Sequence, residues 1–394
     1  MQTGVWSFPT MVHFGAGQID SLPGLLTQRA TDPVTGVSPR VLIVTDPGLP
    51  GLPPMKALED TLRSGNIPFE VFSGISPNPT VPDVTAGVVA YKAFGANAIV
   101  GIGGGSAMDG AKAIALMVEH PGDLVDYDER VGGFDRIGDH HVPPMFTVPT
   151  TAGTGSEVGR ATVIVDPQKS EKMVIFHPVL MPLAAIVDPN LMTSLPKGLT
   201  AATGMDALTH NVEAYLAKGY HPMADGIALE GIRLCANSLE KAVQDGNDIQ
   251  ARSDMAAASM MGAVAFQKGL GVTHSLAHPL SSIAGMHHGL ANGILLPYAM
   301  RFNGKAVPQR FIGLAEAVGR LRPGMTGIEA TEAFLNWVIA LRVAIGIPNR
   351  LSEAGVTEAQ VEEMIPQAFA DGCHGSNPVA VTEEDLANLY REAL

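Results

Sequence analysis

Cysteine is nearly missing from this 394-residue chain, with Cys235 and Cys373 as the whole complement. Two thiols so far apart exclude a disulfide framework and lead to the expectation of a reducing cytoplasm. Charge is scarce too, at 16% of residues, and lopsided, with 25 Lys and Arg against 39 Asp and Glu. A formal net charge of -14 argues against nucleic-acid or anionic-membrane partners, which are gripped by clustered cations. Small molecules are the expected partners. No uninterrupted apolar run reaches the roughly 18 residues of a membrane span. The opening MQTGVWSFPTMVHFG lacks a basic segment followed by an apolar one, so no export signal is expected. What the chain has in quantity is apolar residues, 46% of the total, over a length that exceeds one hydrophobic core, so two domains are expected.

The first half alternates short β-type runs with helical stretches, the pattern of a parallel sheet covered by helices. RVLIVTD (Arg40 to Asp46), FEVFSG (Phe69 to Gly74), AIVGIG (Ala98 to Gly103), MFTVPT (Met145 to Thr150) and LAAIVDP (Leu183 to Pro189) read as strands. RATVIVD and KMVIFH, joined by PQKSE, read as a hairpin. From Leu191 onward β-branched runs give way to Ala, Leu, Met and Glu. The expected organisation is an α/β nucleotide-binding domain over 1–188 and an all-helical domain over 189–394.

The most informative stretch runs from Asp206 to His288. Residues four apart share a helix face, so Asp206 and His210 can aim a carboxylate and an imidazole at one point. His274 and His278 repeat the spacing, His288 follows, and Gly204, Gly271 and Gly289 flank the segments. A hard oxygen donor with two or three imidazoles suits a divalent Fe, Zn, Co or Mn ion, with no thiolate to select Zn. A mononuclear metal centre between helices is expected.

Two loops could receive a nucleotide. In AIVGIGGGSAMDGAK a buried-type strand meets Gly103, Gly104 and Gly105 before a helix opens at Ser106, which lets backbone N–H groups and a helix N-terminus approach a diphosphate. PTTAGTGSEV (Pro149 to Val158) offers hydroxyls at Thr150, Thr151, Thr154 and Ser156 that can bond phosphate or ribose or cap a turn. Asp46 ends the first clear strand, where a carboxylate can accept bonds from ribose hydroxyls and would repel a 2′-phosphate.

With these pieces assembled, the chain resembles the iron-dependent (group III) alcohol dehydrogenase family, whose architecture is shared with dehydroquinate synthase. SPNPT (Ser76 to Thr80), GGGSAMDGAK, PTTAGTGSE, AATGMDALTH (Ala201 to His210), HSLAHPL (His274 to Leu280) and HHGLANGILLP (His287 to Pro297) occur in family order over nearly the full length. The resemblance implies an α/β N-terminal domain, a helical C-terminal domain and a catalytic site in a cleft between them. It implies Asp206, His210, His274 and His288 as ligands of Fe2+, with Zn2+ or another divalent metal as a substitute. It puts NAD against Asp46, Asn78, Gly105, Ser106, Thr150, Thr151 and Thr154, with Lys172 and the segment from Leu191 to Thr193 closing around the ribose and nicotinamide. It also implies a homodimer or larger homo-oligomer, with the strand HFGAG placed to pair across a subunit edge.

The expected reaction is hydride transfer between a primary alcohol and nicotinamide, with a metal as Lewis acid. His278, outside the implied ligand set, is the candidate for moving the proton. AFQKGLG puts Lys268 shortly before His274, where its ammonium would suit a substrate with a distant carboxylate. That stretch, with FHPVLMP and CHGSNP, is similar to the subgroup of 4-hydroxybutyrate dehydrogenases, although the connection between HSLAHPL and HHG is shorter here. Cys373 and His374 are candidate wall residues of the substrate pocket. The residues leave open a metal-dependent hydrolase or lyase, and a general short-chain alcohol, diol or lactaldehyde oxidoreductase.

Overall fold

Eight runs of extended chain form in order: β1 (Met11–Phe14), β2 (Val41–Val44), β3 (Phe69–Phe72), β4 (Ala98–Gly103), β5 (Met145–Pro149), β6 (Ala161–Asp166), β7 (Glu171–Phe176) and β8 (Ala184–Val187). They come from a computed structural model that describes residue 8 and residues 10–138, 141–166 and 171–394. Six of them make one sheet in the order β1-β8-β5-β4-β2-β3, every ladder parallel. All four residues of β2 and all six of β4 are buried, because helices cover both faces of a parallel sheet and no alternation of apolar and polar residues is needed. The expected hairpin is present, with β6 and β7 antiparallel in the register Val163 to Val174.

The contacts divide the described residues into two units, Phe8–Thr151 with Gly155–Ser194, and Ala152–Thr154 with Leu195–Leu394. The sheet unit runs past β8 through a 3-10 turn, Pro189–Met192. Buried Asp188 secures that turn by accepting from Ile19 N (3.2 Å) and Asn190 N (3.0 Å), and Leu191 packs into the core under β2 and β4. The first strand was expected to pair across a subunit edge. In the chain itself β1 is already paired along one side, with β8, and its other side is the edge of the sheet.

The second unit is helical throughout. Lys197–Leu216, Pro222–Gln244, Ile249–Ala265, Val272–Ile283 and His288–Ala306 are its longer leading helices, closed around one apolar core that includes Met205, Leu208, Val212, Leu276 and Leu296. Later helices start on reciprocal caps, Thr326 with Glu329, Thr357 with Gln360 and Thr382 with Asp385, each a pattern written locally in sequence. No helix among the described residues is long and apolar enough to cross a membrane.

Behind the glycine turn of the sheet unit lies a buried polar group that the sequence reading missed. The Lys112 side chain is 0% exposed, and Nζ donates to Ser156 O (2.7 Å), Ser156 Oγ (2.8 Å) and Ala161 O (2.9 Å). It thereby ties the helix Gly105–Glu119 to the threonine loop and to β6. Glu157 is 2% exposed, and its Oε2 has no hydrogen-bond partner among the described residues. Burial pushes this carboxyl up to about 7 from 4.5, against the pull of Lys112. Between those pH values the folded chain holds the proton more tightly than the unfolded one, so this group's contribution to stability falls as pH rises and levels off above 7. Glu157→Gln, which does not titrate, is therefore expected to gain up to about 3 kcal/mol on the wild type from acid to pH 8. Urea midpoints across that range measure it; a constant difference would show that Glu157 binds its proton equally well in the folded and the unfolded chain.

Candidate active site

In the helical unit the helix Lys197–Leu216 is buried along almost its whole length, so its polar residues must answer one another inside. Asp206, His210 and Glu213 follow at intervals of four and three, on one face. The helix Val272–Ile283 brings His274 against that face, and the start of His288–Ala306 brings His288. Gly289 makes the last approach possible, since a Cβ there would stand 2.2 Å from the backbone oxygen of Ala202.

The donor atoms converge. His288 Nε2 and His274 Nε2 lie 3.6 and 3.9 Å from Asp206 Oδ1, and His210 Nδ1 lies 3.9 Å from Asp206 Oδ2. Asp206, His210 and His274 each offer a ligand atom within 4.8 Å of the others, and all three are buried. Asn292, four residues after His288, aims Nδ2 into the same point, 2.7 Å from Asp206 Oδ1, 3.1 Å from His288 Nε2 and 3.4 Å from His274 Nε2. A group with positive character thus sits between one carboxylate and two imidazoles. His210 Nδ1 is buried without a hydrogen bond among the described residues.

The surroundings orient these donors. His274 donates from Nδ1 to Glu213 Oε2 (2.7 Å), and the backbone N–H groups of Gly271 (2.9 Å) and Thr273 (2.6 Å) donate to the same carboxylate. This turns His274 Nε2 toward Asp206, the arrangement by which a carboxylate fixes a metal-binding imidazole. Burial drives His210 down to about 4 despite Asp206, leaving a neutral ring with a lone pair to give. Burial opposes ionisation of the His274–Glu213 pair as well. Their hydrogen bond and mutual charge prevail, raising the imidazole and lowering the carboxyl from their ordinary values.

His278 stands beside this cluster, its ring stacked on that of His288 with centroids 5.2 Å apart and its Nδ1 2.7 Å from Asp371 Oδ2. Cys373 joins His278 and Asp371 in a second group whose ligand atoms lie within 4.8 Å of one another. The other substrate candidates are engaged elsewhere. The Lys268 ammonium donates to Asp225 Oδ1 and to Tyr215 O (2.9 Å), with the side chain 3% exposed, while Arg310 takes the other oxygen of Asp225 (3.0 Å), so the ammonium is buried and bonded within its own helices. His374 Nε2 is bonded to Phe369 O (2.9 Å), and its ring stacks on Phe369.

In the sheet unit β2 leads to β3 on one side while β4 lies on its other side, so the strand order reverses between β2 and β4. Ligands of open α/β sheets bind at the carboxyl ends of strands flanking such a reversal. Asp46 follows β2 there, its Oδ1 accepting from Gly48 N (2.8 Å). The glycine turn follows β4. Gly103 has φ +140, and a Cβ on it would lie 2.8 Å from Ala107 Cβ and 3.4 Å from Asp46 Oδ2. Gly104 caps the helix Gly105–Glu119 without a side-chain bond, which leaves its first N–H groups for an anion. Ser106 Oγ donates to Pro77 O (2.6 Å), tying the helix to the segment with exposed Asn78. Thr150 is buried and its N–H closes on Gly103 O (2.9 Å); the hydroxyl of Thr151 lies 3.5 Å from where a Cβ on Gly104 would be. Lys172 sits opposite Val165 in the hairpin, with its charge felt at Asp109. Leu191 is core, Thr193 Oγ1 bonds Asn190 O (2.9 Å), and Thr154 belongs to the helical unit.

Comparison with known proteins agrees with this geometry. Residues 9–189 match the family model for iron-containing alcohol dehydrogenase, and residues 200–394 match that for the C-terminal part of the Fe-containing alcohol dehydrogenase family. The chain is 38% identical over 364 residues to 4-hydroxybutyrate dehydrogenase of Cupriavidus necator, covering 90% of this chain and 92% of that one. It is 37% identical over 356 residues to NAD-dependent methanol dehydrogenase of Bacillus methanolicus, with 90% and 92% covered. A crystal structure of 1,3-propanediol oxidoreductase superposes with a TM-score of 0.92 at 36% identity, over 99% of this chain and 100% of that one. The α/β and helical halves, the motifs in their order and these matches agree: the chain is an oxidoreductase that belongs to the iron-containing alcohol dehydrogenase family.

Proposed function

We propose that this enzyme interconverts a short, uncharged primary alcohol and its aldehyde with NAD, using a divalent metal held by Asp206, His210, His274 and His288. The observation that carries the reading is that His210, His274 and His288 each set a ring nitrogen within 3.9 Å of an Asp206 carboxylate oxygen. Oxygen and imidazole donors without a thiolate fit Fe2+, in keeping with the family, and also accommodate Zn2+. The glycine turn, the uncapped helix start and Asp46 fit a dinucleotide diphosphate and its adenosine ribose, with Asp46 disfavouring the 2′-phosphate of NADP. Asn78, Gly105, Ser106, Thr150, Thr151, Thr154, Lys172, Leu191 and Thr193 are assigned to the same cofactor.

When bound, the ion supplies Lewis acidity at the alcohol oxygen and the nicotinamide supplies a hydride acceptor. The protein's own part is to place and to deprotonate. Glu213 and Asn292 hold the donor set in register, and His278 takes the alcohol proton on Nε2 as the O–H bond breaks. Cys373, beside His278, is proposed to line the substrate's path. Lys268 is left out of substrate recognition because its buried ammonium is already bonded to Asp225 and to Tyr215 O, and this moves the choice from an omega-hydroxy acid toward an uncharged alcohol or diol. A cytoplasmic homo-oligomer completes the reading. It is supported by the sparse cysteines and by β1, an edge strand whose Met11 and Phe14 are 47% and 43% exposed.

The test follows oxidation of NADH and of NADPH by anaerobically prepared, Fe(II)-loaded protein, with butyraldehyde against succinic semialdehyde. Turnover of butyraldehyde with NADH is expected, at least about tenfold better than with NADPH, and Lys268→Ala is expected to leave the ratio between the aldehydes unchanged. A strong preference for the acid that collapses in Lys268→Ala would restore the omega-hydroxy acid. Equal use of NADPH would remove Asp46 from its role.

A further inference from the structure

We infer that Asp371 is the positioning residue of His278, setting which of its two nitrogens faces the reacting alcohol. The inference rests on the proposed role of His278 as acceptor of the alcohol proton and adds the group that makes that role possible. Asp371 lies 93 residues beyond His278 in sequence, just after the helix Glu358–Ala370, and the fold alone brings the two together.

Both carboxylate oxygens are committed. Oδ2 is 2.7 Å from His278 Nδ1. Oδ1 accepts from Ser275 Oγ (2.8 Å) and from the backbone N–H of Cys373 (2.8 Å), and Ser275 Oγ in turn accepts from His374 N (2.9 Å). Ser275 and His278 stand on the same helix, so the carboxylate is anchored one turn from the ring that it holds. Burial opposes its ionisation, but His278 and the bonds from Cys373 and Ser275 keep the Asp371 carboxyl well below the usual carboxylate range. An ionised carboxylate only accepts, so the Nδ1 of His278 must carry the hydrogen. In the neutral ring Nε2 then bears the lone pair, as an imidazole must if it is to take a proton from an alcohol. The ring cannot easily swing to exchange its nitrogens, because His288 lies parallel to it at 15° and His274 meets it edge-on at 6.0 Å. A base and a carboxylate that orients it thus stand beside the donor cluster.

A purely structural role predicts something different. If Asp371 only stapled the turn at Cys373–Ser376 to the helix, Asp371→Asn would be nearly silent, because its Oδ1 can still accept from Ser275 and Cys373. In the positioning role Asn presents an N–H to His278, the ring must accept at Nδ1 and carry its hydrogen on Nε2, and the alcohol meets a donor.

The experiment measures single-turnover hydride transfer from butan-1-ol to NAD+ in Fe(II)-loaded wild type, Asp371→Asn, His278→Asn and the double variant, with metal content and thermal unfolding for each. Asp371→Asn is expected to slow transfer on the order of 10²-fold, with KM for NAD+, bound metal and unfolding temperature essentially unchanged. The double variant is expected to be no slower than His278→Asn, because the two residues act as one unit. A readout apart from activity is the ring ¹⁵N shifts of His278 in the Zn-loaded protein, which should move from the Nδ1–H to the Nε2–H pattern in Asp371→Asn. If His278→Asn is slow while Asp371→Asn keeps the wild-type rate and tautomer, the positioning role is overturned and His278 stands alone. Losses that multiply in the double variant would place the effect of Asp371 elsewhere and overturn it too. If His278→Asn itself keeps the wild-type rate, the proton-acceptor reading fails and the inference goes with it.

Discussion

Asp206→Ala is expected to lose its divalent ion to a chelator that leaves the wild type loaded, and to lose on the order of 10³-fold or more in kcat/KM. Asp206 is the one carboxylate of the cluster, and each of its oxygens faces an imidazole within 3.9 Å. Without it three imidazoles remain, donors in number but without the negative charge that holds a hard cation. A 10³-fold loss corresponds to about 4 kcal/mol of transition-state stabilisation, within what a Lewis acid contributes to polarising an oxygen. The fold itself should survive, because the buried Asp206 carboxylate is costly in the metal-free protein and its removal relieves that cost. Elemental analysis after dialysis against chelator, paired with unfolding curves of the metal-free proteins, makes the measurement. A variant that keeps one ion per chain would show that the four side chains are not its ligands.

The second large effect is expected far from that cluster. Lys112→Met should lower stability by about 3–5 kcal/mol, the usual result of removing one partner from a buried charged group. The ammonium satisfies three acceptors and stands 4.0 Å from the Asp109 carboxylate, which itself accepts from Ser156 Oγ (2.6 Å) and Val163 N (3.0 Å). Methionine fills the space of the stem but leaves those acceptors unanswered and Asp109 without its nearest counter-charge. Adding Asp109→Asn should recover part of the loss, since the charge left behind is the costlier item. The damage should also reach function, because Ser156 belongs to the threonine loop, and KM for NADH is expected to rise more than kcat falls. Urea midpoints and steady-state kinetics check both. A loss under about 1 kcal/mol would mean that water replaces the ammonium.

These expectations draw on the sequence unequally. The parallel strands were legible because burial on both faces writes continuous apolar runs such as Val41–Val44, and the hairpin because two such runs flank a short polar link. Asp206, His210, His274 and His288 stood out through helical spacing and the family pattern, and the fold brings their side chains near one another. Glu213 and Asn292 were missed, although each lies three or four residues beyond a histidine of the cluster, on the same face. That periodicity was available and went unused. Asp371 had no local signal at all. Lys268 had no local signal for its partner either: nearness in sequence to His274 suggested a substrate cation, and the structure pairs the side chain with Asp225 on another helix.

From the sequence alone came the chemistry that the chain could perform: the donor types, the glycine turn, the acid that ends β2, and the two-part organisation that their order implies. Local spacing and composition carry that information because helices and strands are periodic. The partners came only with the tertiary structure. Which carboxylate orients His274, which one holds His278, which groups bond Lys268 and which edge of β1 is taken all depend on contacts between residues distant in the chain. Such contacts are settled by packing and by the need of every buried polar group for an answer, and no local pattern records them.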